Sequence, residues 1–319
     1  MIYKQVSKIK EPISAIGMGC WNFGGDWDSS NEQNSINMVH AAIDAGINLF
    51  DVAPVYGFGV SETILGKALK GKRDKVIIAS KAGIVWNDKK ETSFDLSKAN
   101  ILKEVDESLK RLDVDYIDIY QMHWPDSNTP LSETAEALNE IRKAGKIRYV
   151  GLSNFSQKDA EIIMTMTSVE CQQGLYNMLE RNPASYHNIP LAYRTEDEVL
   201  PKVLEWSQAY LPYSPLFQGL LAGNFAKGID FSEKDVRNNN PKLTGNDFAG
   251  YLETAKKINK IAEEIGKPIS QLALNWLRQQ PPVTSIIAGA SSPRQLESNV
   301  KSCEWNINDD TMKKLADIL

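Results

Sequence analysis

An aspartate and a tyrosine share the stretch Asn48-Leu49-Phe50-Asp51-Val52-Ala53-Pro54-Val55-Tyr56-Gly57. Leu49 and Phe50 read as the end of a short buried strand. Pro54 and Gly57 mark the loop that follows. Lys81 and His123 stand in the same way after the apolar runs Val76 to Ala79 and Tyr116 to Gln121. Singly, each has an ordinary structural explanation: a capping Asp, a solvated Lys, a hydrogen-bonded His. Four ionisable groups at successive strand ends are harder to explain that way, because charged residues are seldom buried unless paired. Asp51 beside Lys81 would form an ion pair. The lysine charge near Tyr56 would pull the phenol below its usual pKa of about 10. A tyrosine tuned so can donate a proton to a carbonyl oxygen, and His123 could orient the same oxygen. No Ser or Cys is placed as a covalent nucleophile, and no metal-ligand cluster is visible, so the expected metal is none. A hydride from a nicotinamide would complete the reaction.

These residues need a scaffold that gathers strand ends. Residues 2–10 alternate weakly and predict a short strand or hairpin. Apolar strands are predicted at Ile13 to Gly19, at Leu49 and Phe50, at Val76 to Ala79, and at Tyr116 to Gln121. Four more are predicted at Ile147 to Val150, Val169 to Gln173, Tyr210 to Tyr213, and Ser285 to Ala288. Between them lie amphipathic helices. The first is predicted to open on a capping box of Ser30 and Gln33, with Ile36, Val39 and Ile43 on one face and Gly46 as its stop. A single helix is expected over 196–209 and a surface loop over Lys227 to Gly250; further helices are expected near 251–265, 270–280 and 309–318. Strands alternating with helices predict parallel βαβ units, and eight of them predict a (β/α)8 TIM barrel as one domain over 1–319. No Gly-x-Gly-x-x-Gly follows the first strand, so a Rossmann domain is unsupported. In a barrel, Asp51, Tyr56, Lys81, His123, Ser153, Asn154, Gln173, Tyr213 and Ser214 would meet at the C-terminal face, where barrel active sites lie.

Composition narrows the partners. The chain is 42% hydrophobic and 24% charged, with a net charge of -5. That balance argues against a nucleic-acid or anionic-membrane partner. Cys20, Cys171 and Cys303 have no close spacing and fit a reducing compartment. The N-terminus lacks the apolar run of a signal peptide, and no stretch is long and apolar enough to span a bilayer, so a cytoplasmic location is expected.

Along almost its whole length the chain resembles the aldo-keto reductase superfamily. The matching pieces are Gly17-Met18-Gly19-Cys20-Trp21, Phe50 to Gly57, Ser80-Lys81, His123-Trp124 and Gly151-Leu152-Ser153-Asn154-Phe155. Gln173-Gly174-Leu175-Tyr176-Asn177, Tyr213-Ser214-Pro215-Leu216 and Gly289-Ala290-Ser291 follow in order. The variants look most like the bacterial branch that includes the potassium-channel beta subunits. The resemblance implies a catalytic tetrad of Asp51, Tyr56, Lys81 and His123. It implies a nicotinamide cofactor held by Trp21, Asp51, Ser153, Asn154 and Gln173, with Tyr213 stacked on the ring. Ser214, Leu216 and Gln218 would line the pyrophosphate. Gly289, Ser291, Gln295 and Asn299 would hold the adenosine end, and Arg294, which is this chain's own, would add a positive charge able to bond a phosphate there. Ser292-Pro293-Arg294-Gln295 reads as a capped helix start, a ready anion site, and NADPH is expected over NADH. Trp21, Trp86 and Trp124 are expected to wall the substrate pocket. Leu175, Arg294 and Ser298 depart from the family pattern.

Three functions compete: a carbonyl reductase running in either direction, a cofactor-sensing regulatory subunit with little turnover, and Schiff-base chemistry at Lys81. The last is opposed by Asp51, which would keep the lysine protonated.

Overall fold

In the computed structural model, residues 1–25, 31–223 and 235–319 are described. Eight parallel strands form the barrel: β1 Ile16–Gly19, β2 Leu49–Asp51, β3 Ile77–Ala82, β4 Ile117–Met122, β5 Ile147–Ser153, β6 Cys171–Leu175, β7 Ala209–Tyr213 and β8 Ile286–Ala288. Each pairs with its sequence neighbour, and β8 returns to β1. The remaining seam, β7 against β8, is stitched by the Thr284 N–H donating to the Tyr210 carbonyl at 2.9 Å. The bottom is plugged by an antiparallel hairpin, Tyr3–Val6 with Ile9–Ser14. The run from Ile13 to Gly19 is therefore two strands. Ile13 closes the hairpin, and the chain breaks at Ala15 before β1 begins.

The period-2 alternation of a strand sorts side chains into two cores. Leu49, Ile77, Ala79, Ile119, Cys171, Ala209, Leu211 and Ile287 fill the barrel interior together with Ile9 and Ile13 of the hairpin. Phe50, Ile78, Tyr120, Val150, Leu152 and Tyr210 point outward and pack under the helices. Counting in twos from the interior residues lands on Asp51, Lys81, Gln121, Ser153, Gln173 and Tyr213. The top interior layer is thus polar, and strands continue through residues that sequence reading had placed beyond their ends. Lys81 and Ser153 lie within β3 and β5.

Helices α1 Glu32–Asp44, α2 Val60–Ala68, α3 Lys98–Leu112, α4 Leu131–Lys143 and α5 Gln157–Met164 complete the first repeats. α1 is capped by Asn31, whose side chain accepts from Asn34 N at 3.1 Å. The Ser30 end of the expected capping box lies outside the described residues. The helix expected over 196–209 is a π turn, Thr195–Val199, followed by α6 Leu200–Glu205. It ends early because Ser207 is left-handed (φ 52°) and Ala209 already pairs with Cys171. Residues 227–234 of the expected surface loop lie outside the described residues. The rest of that stretch is not all loop: it holds short helical turns at Val236–Asn239 and Pro241–Thr244, then the start of α7 Phe248–Glu264. Helices α8 Ile269–Arg278, α9 Pro293–Lys301 and α10 Asp309–Ala316 finish the chain. Two further hairpins stand outside the repeats, Ile84–Trp86 with Thr92–Phe94 and Ser185–Tyr186 with Ile189–Pro190. Among the described residues, no helix is long and apolar enough to cross a membrane.

Candidate active site

Asp51, Lys81, Gln121 and Gln173 meet at the top of the barrel interior. The Lys81 ammonium lies 2.7 Å from Asp51 Oδ1 and also donates to the Val52 carbonyl at 3.1 Å. Asp51 Oδ2 accepts from Gln173 Nε2 at 2.8 Å and Gln121 Nε2 at 3.3 Å. Lys81 and Gln121 are fully buried and Asp51 nearly so. A buried ion pair is tolerated only when its remaining bonding capacity is met, and these contacts meet much of it. Gln121 was not among the residues singled out from sequence. The signal that finds it is its position two residues after interior Ile119.

Tyr56 comes from the turn after β2. Its N–H donates to the Ala53 carbonyl at 3.1 Å, and Gly59 closes the turn on Pro54 at 2.7 Å. Gly57 is left-handed (φ 63°), and a Cβ there would fall 2.1 Å from the Gly24 carbonyl. This contact locks the Tyr56 turn against the 3-10 segment Trp21–Gly24, and Trp21 stacks on Tyr56 with centroids 6.0 Å apart. The Tyr56 hydroxyl sits 3.2 Å from Lys81 Nζ. His123 stands edge-on to the Tyr56 ring at 5.9 Å. Its backbone is held by Ala82 below, and its carbonyl accepts from Asn154 Nδ2 at 3.1 Å.

The electrostatics correct one expectation. The Tyr56 hydroxyl is pushed well above its ordinary range, first by burial and then by the Asp51 carboxylate, with Tyr186 and Cys20 adding. Burial and the neighbouring carboxylate outweigh any lowering by the lysine charge. Burial, then the Lys81 charge, holds His123 well below its ordinary value, so its imidazole is neutral at neutral pH.

The nicotinamide candidates form a second cluster beside the first. Asn154 is left-handed (φ 65°) and buried. Its Oδ1 accepts from Tyr213 at 2.8 Å and Tyr193 at 3.0 Å, and its Nδ2 also meets Ser153 Oγ at 3.1 Å. Ser153 reaches Gln173 Oε1 at 3.5 Å. Tyr193 was not anticipated; its only sequence trace is an aromatic inside a polar connection. Past β7 the backbone is left-handed at Ser214, Phe217, Gln218 and Gly219. The Ser214 carbonyl accepts from Asn177 Nδ2 at 3.0 Å, and Leu216 packs on the core. At the head of α9, Ser292 Oγ accepts from Gln295 N at 3.3 Å. The helix start is capped by Ser292 as expected, and Gln295 Oε1 turns back beyond it, to the N–H and Oγ of Ser291 at 2.8 and 2.9 Å. Asn299 Nδ2 donates to the Gly289 carbonyl at 3.3 Å. Arg294 is exposed and makes no ion pair among the described residues.

Of the three tryptophans, Trp21 touches the Tyr56 ring. Trp86 packs on Phe58 at 5.5 Å and Trp124 on Phe94 at 6.1 Å, in the adjoining loops.

A buried Lys–Asp pair beside a phenol and a neutral imidazole, on this barrel, defines a class of protein, and comparison with known sequences and structures agrees. The Aldo/keto reductase family profile matches residues 15–319. This chain belongs to that family, which uses nicotinamide cofactors on small carbonyl substrates. It is 38% identical over 323 residues to Aldo-keto reductase YhdN of Bacillus subtilis (strain 168), covering 100% of this chain and 94% of that one. It is 32% identical over 326 residues to the NADH-specific methylglyoxal reductase of Escherichia coli (strain K12), covering 96% of each. The solved structure of the glycerol dehydrogenase AKR11B4 from Gluconobacter oxydans superposes with a TM-score of 0.87 at 35% identity, over 99% of this chain and 94% of that one.

Proposed function

We propose that this single-domain barrel is an NADP-dependent oxidoreductase that interconverts a small carbonyl and its alcohol, with Tyr56 as proton donor. The observation that carries the reading is the Lys81 ammonium held between Asp51 Oδ1 at 2.7 Å and the Tyr56 hydroxyl at 3.2 Å. A bound nicotinamide supplies or accepts the hydride. The donor set suits it: Ser153, Asn154 and Gln173 offer hydroxyl and amide groups for a carboxamide, Tyr213 an aromatic bed, and the left-handed loop 214–219 and the capped start of α9 backbone sites for phosphates. Trp21, Leu216, Gln218, Gly289, Ser291, Gln295 and Asn299 complete the proposed cofactor contacts.

The residues of this chain then divide the work. Neutral His123 donates to the carbonyl oxygen and fixes its direction. Tyr56, protonated throughout the neutral range, hands its proton to that oxygen as negative charge develops there. Lys81 stabilises the phenolate left behind, and Asp51 anchors Lys81 through the rigid barrel strands. The lysine acts after the proton leaves; it does not pre-ionise the phenol.

The relatives named for methylglyoxal and glycerol support a three-carbon, oxygen-rich substrate. Arg294, exposed near the α9 N-terminus and without an ion pair among the described residues, supports the 2′-phosphate cofactor. The chain's composition supports a cytoplasmic location. Oxidation of NADPH and NADH with methylglyoxal, glyceraldehyde and propanal, and reduction of NADP+ and NAD+ with glycerol, tests the reading. Absence of turnover in both directions with every substrate refutes it.

A further inference from the structure

Asp51 meets Lys81 through one carboxylate oxygen. Oδ1 accepts from the ammonium at 2.7 Å, while Oδ2 accepts from Gln173 Nε2 at 2.8 Å and Gln121 Nε2 at 3.3 Å. An ammonium carries three N–H groups, and three acceptors surround this one. They are Asp51 Oδ1, the Val52 carbonyl at 3.1 Å and the Tyr56 hydroxyl at 3.2 Å. One N–H is therefore left for the phenol oxygen. A carboxylate able to turn would present both oxygens to Lys81 and draw that N–H away.

The two amides differ in what else they do. Gln173 is also a proposed cofactor contact, and its Oε1 accepts from Ser153 Oγ at 3.5 Å. Gln121 is fully buried in the lumen, and its Oε1 finds no donor among the described residues. A buried acceptor left unpaired costs folding free energy, so an apolar residue of the same length would serve packing better. The neighbouring strand makes room for the amide all the same. Gln121 pairs in register with Gly151 of β5, and a Cβ on Gly151 would fall 2.6 Å from Gln121 Cγ. Gly151 has no left-handed φ, so this side chain accounts for the glycine and a turn does not.

Resting on the carbonyl-reductase reading above, we infer that Gln121 is a positioning residue for the proton transfer. It holds Asp51 Oδ2 from β4, keeps the carboxylate on Lys81 through Oδ1 alone, and so reserves the third lysine N–H for the Tyr56 oxygen. Gly151 serves the same end by clearing the path of the amide. As Tyr56 gives up its proton, negative charge grows on the oxygen that this N–H faces. The contact is stronger in the transition state than in the ground state, so its loss falls on the chemical step and not on substrate binding.

The test compares wild type, Gln121→Met, Gly151→Ala and the double variant. The readouts are the single-turnover rate of cofactor oxidation with glyceraldehyde, KM for glyceraldehyde, and urea denaturation, using whichever of NADPH and NADH the wild type oxidises. Met matches Gln in length and lacks the donor; Gly151→Ala keeps the amide and pushes it aside. The expected rate is about tenfold lower in each single variant, with KM little changed. The double variant should be no slower than Gln121→Met alone, because both substitutions remove one contact. The urea midpoint of Gln121→Met should stay at or above that of wild type, since the unpaired acceptor goes with the donor. A Gln121→Met rate within about threefold of wild type overturns the inference. A slower Gln121→Met with a lower urea midpoint also overturns it, as the mark of a merely structural residue. Wild-type protein with no turnover is a different outcome, which fells the reductase reading and this inference with it.

Discussion

Lys81 Nζ lies 3.2 Å from the Tyr56 hydroxyl on the side of the phenol away from solvent, fixed there by Asp51 and the Val52 carbonyl. Proton transfer is the role proposed for that hydroxyl, while the ring packs against Trp21 and His123. Tyr56→Phe should keep that packing and lose the proton. Carbonyl reduction should fall by about 10²–10⁴. Cofactor affinity, followed by fluorescence quenching, should stay within a few-fold of wild type. A variant that keeps most of its turnover would remove Tyr56 from the role.

The Lys81–Asp51 pair couples activity to stability. Lys81→Met leaves a buried carboxylate with, among the described residues, only the two glutamine amides as side-chain donors. Breaking such a pair costs about 3–5 kcal/mol. Lys81→Met with Asp51→Asn removes both charges and should recover much of that loss in urea denaturation while remaining inactive. A double variant no more stable than Lys81→Met alone would show that the buried charge is not the source of the cost.

Glu104 gives the protein a pH-dependent weakness just behind β3. Its carboxylate accepts from the Gly83 N–H at 2.7 Å and from Asn100 at 2.8 Å, yet burial raises its pKa from 4.5 to about 7. The raised folded value means that the group favours folding below pH 4.5, and that this contribution drains away as pH rises to 7. The loss is up to roughly 3 kcal/mol. Glu104→Gln, which keeps an acceptor oxygen and cannot ionise, should gain stability relative to wild type progressively from pH 5 to pH 8. Parallel pH profiles for the two proteins would contradict this account.

On the proposed reading, cofactor choice turns on the head of α9. Losing one charge-assisted hydrogen bond costs about 1.5–3 kcal/mol, so Arg294→Ala should weaken NADPH binding roughly tenfold or more and leave NADH nearly unchanged. Titration of both cofactors into wild type and variant decides it. Equal wild-type affinities would mean that this helix start does not select the phosphate. NADPH preference surviving in the variant would move the role to Ser291, Gln295 and the backbone.

Much of the barrel was legible because alternation survives in its strands. Leu49 with Asp51, and Ile77 and Ala79 with Lys81, write the interior face into the sequence two residues at a time. In sequence a polar residue looks like the end of a strand, whereas the barrel continues through polar residues where they pair across it. The hairpin at 185–190 left little trace, since two-residue strands carry no periodicity. The helix over 196–209 was over-read because nothing local announces the left-handed turn at Ser207. The direction of the Tyr56 shift depends on burial and on the nearby Asp51 charge, and neither magnitude is visible before the chain is folded.

Asp51 binds three side chains that belong to three other strands: Lys81 on β3, Gln121 on β4 and Gln173 on β6. A single carboxylate therefore acts as the hub of a wheel whose spokes cross the lumen. No one of these strands can slip in register or fray at its upper end without tearing a spoke. The amides of β2, β3, β4 and β6 near the mouth should then exchange with solvent as one cooperative block, at a free energy set by the hub. The atoms proposed to serve the proton chemistry and the atoms that tie the barrel mouth together are the same few.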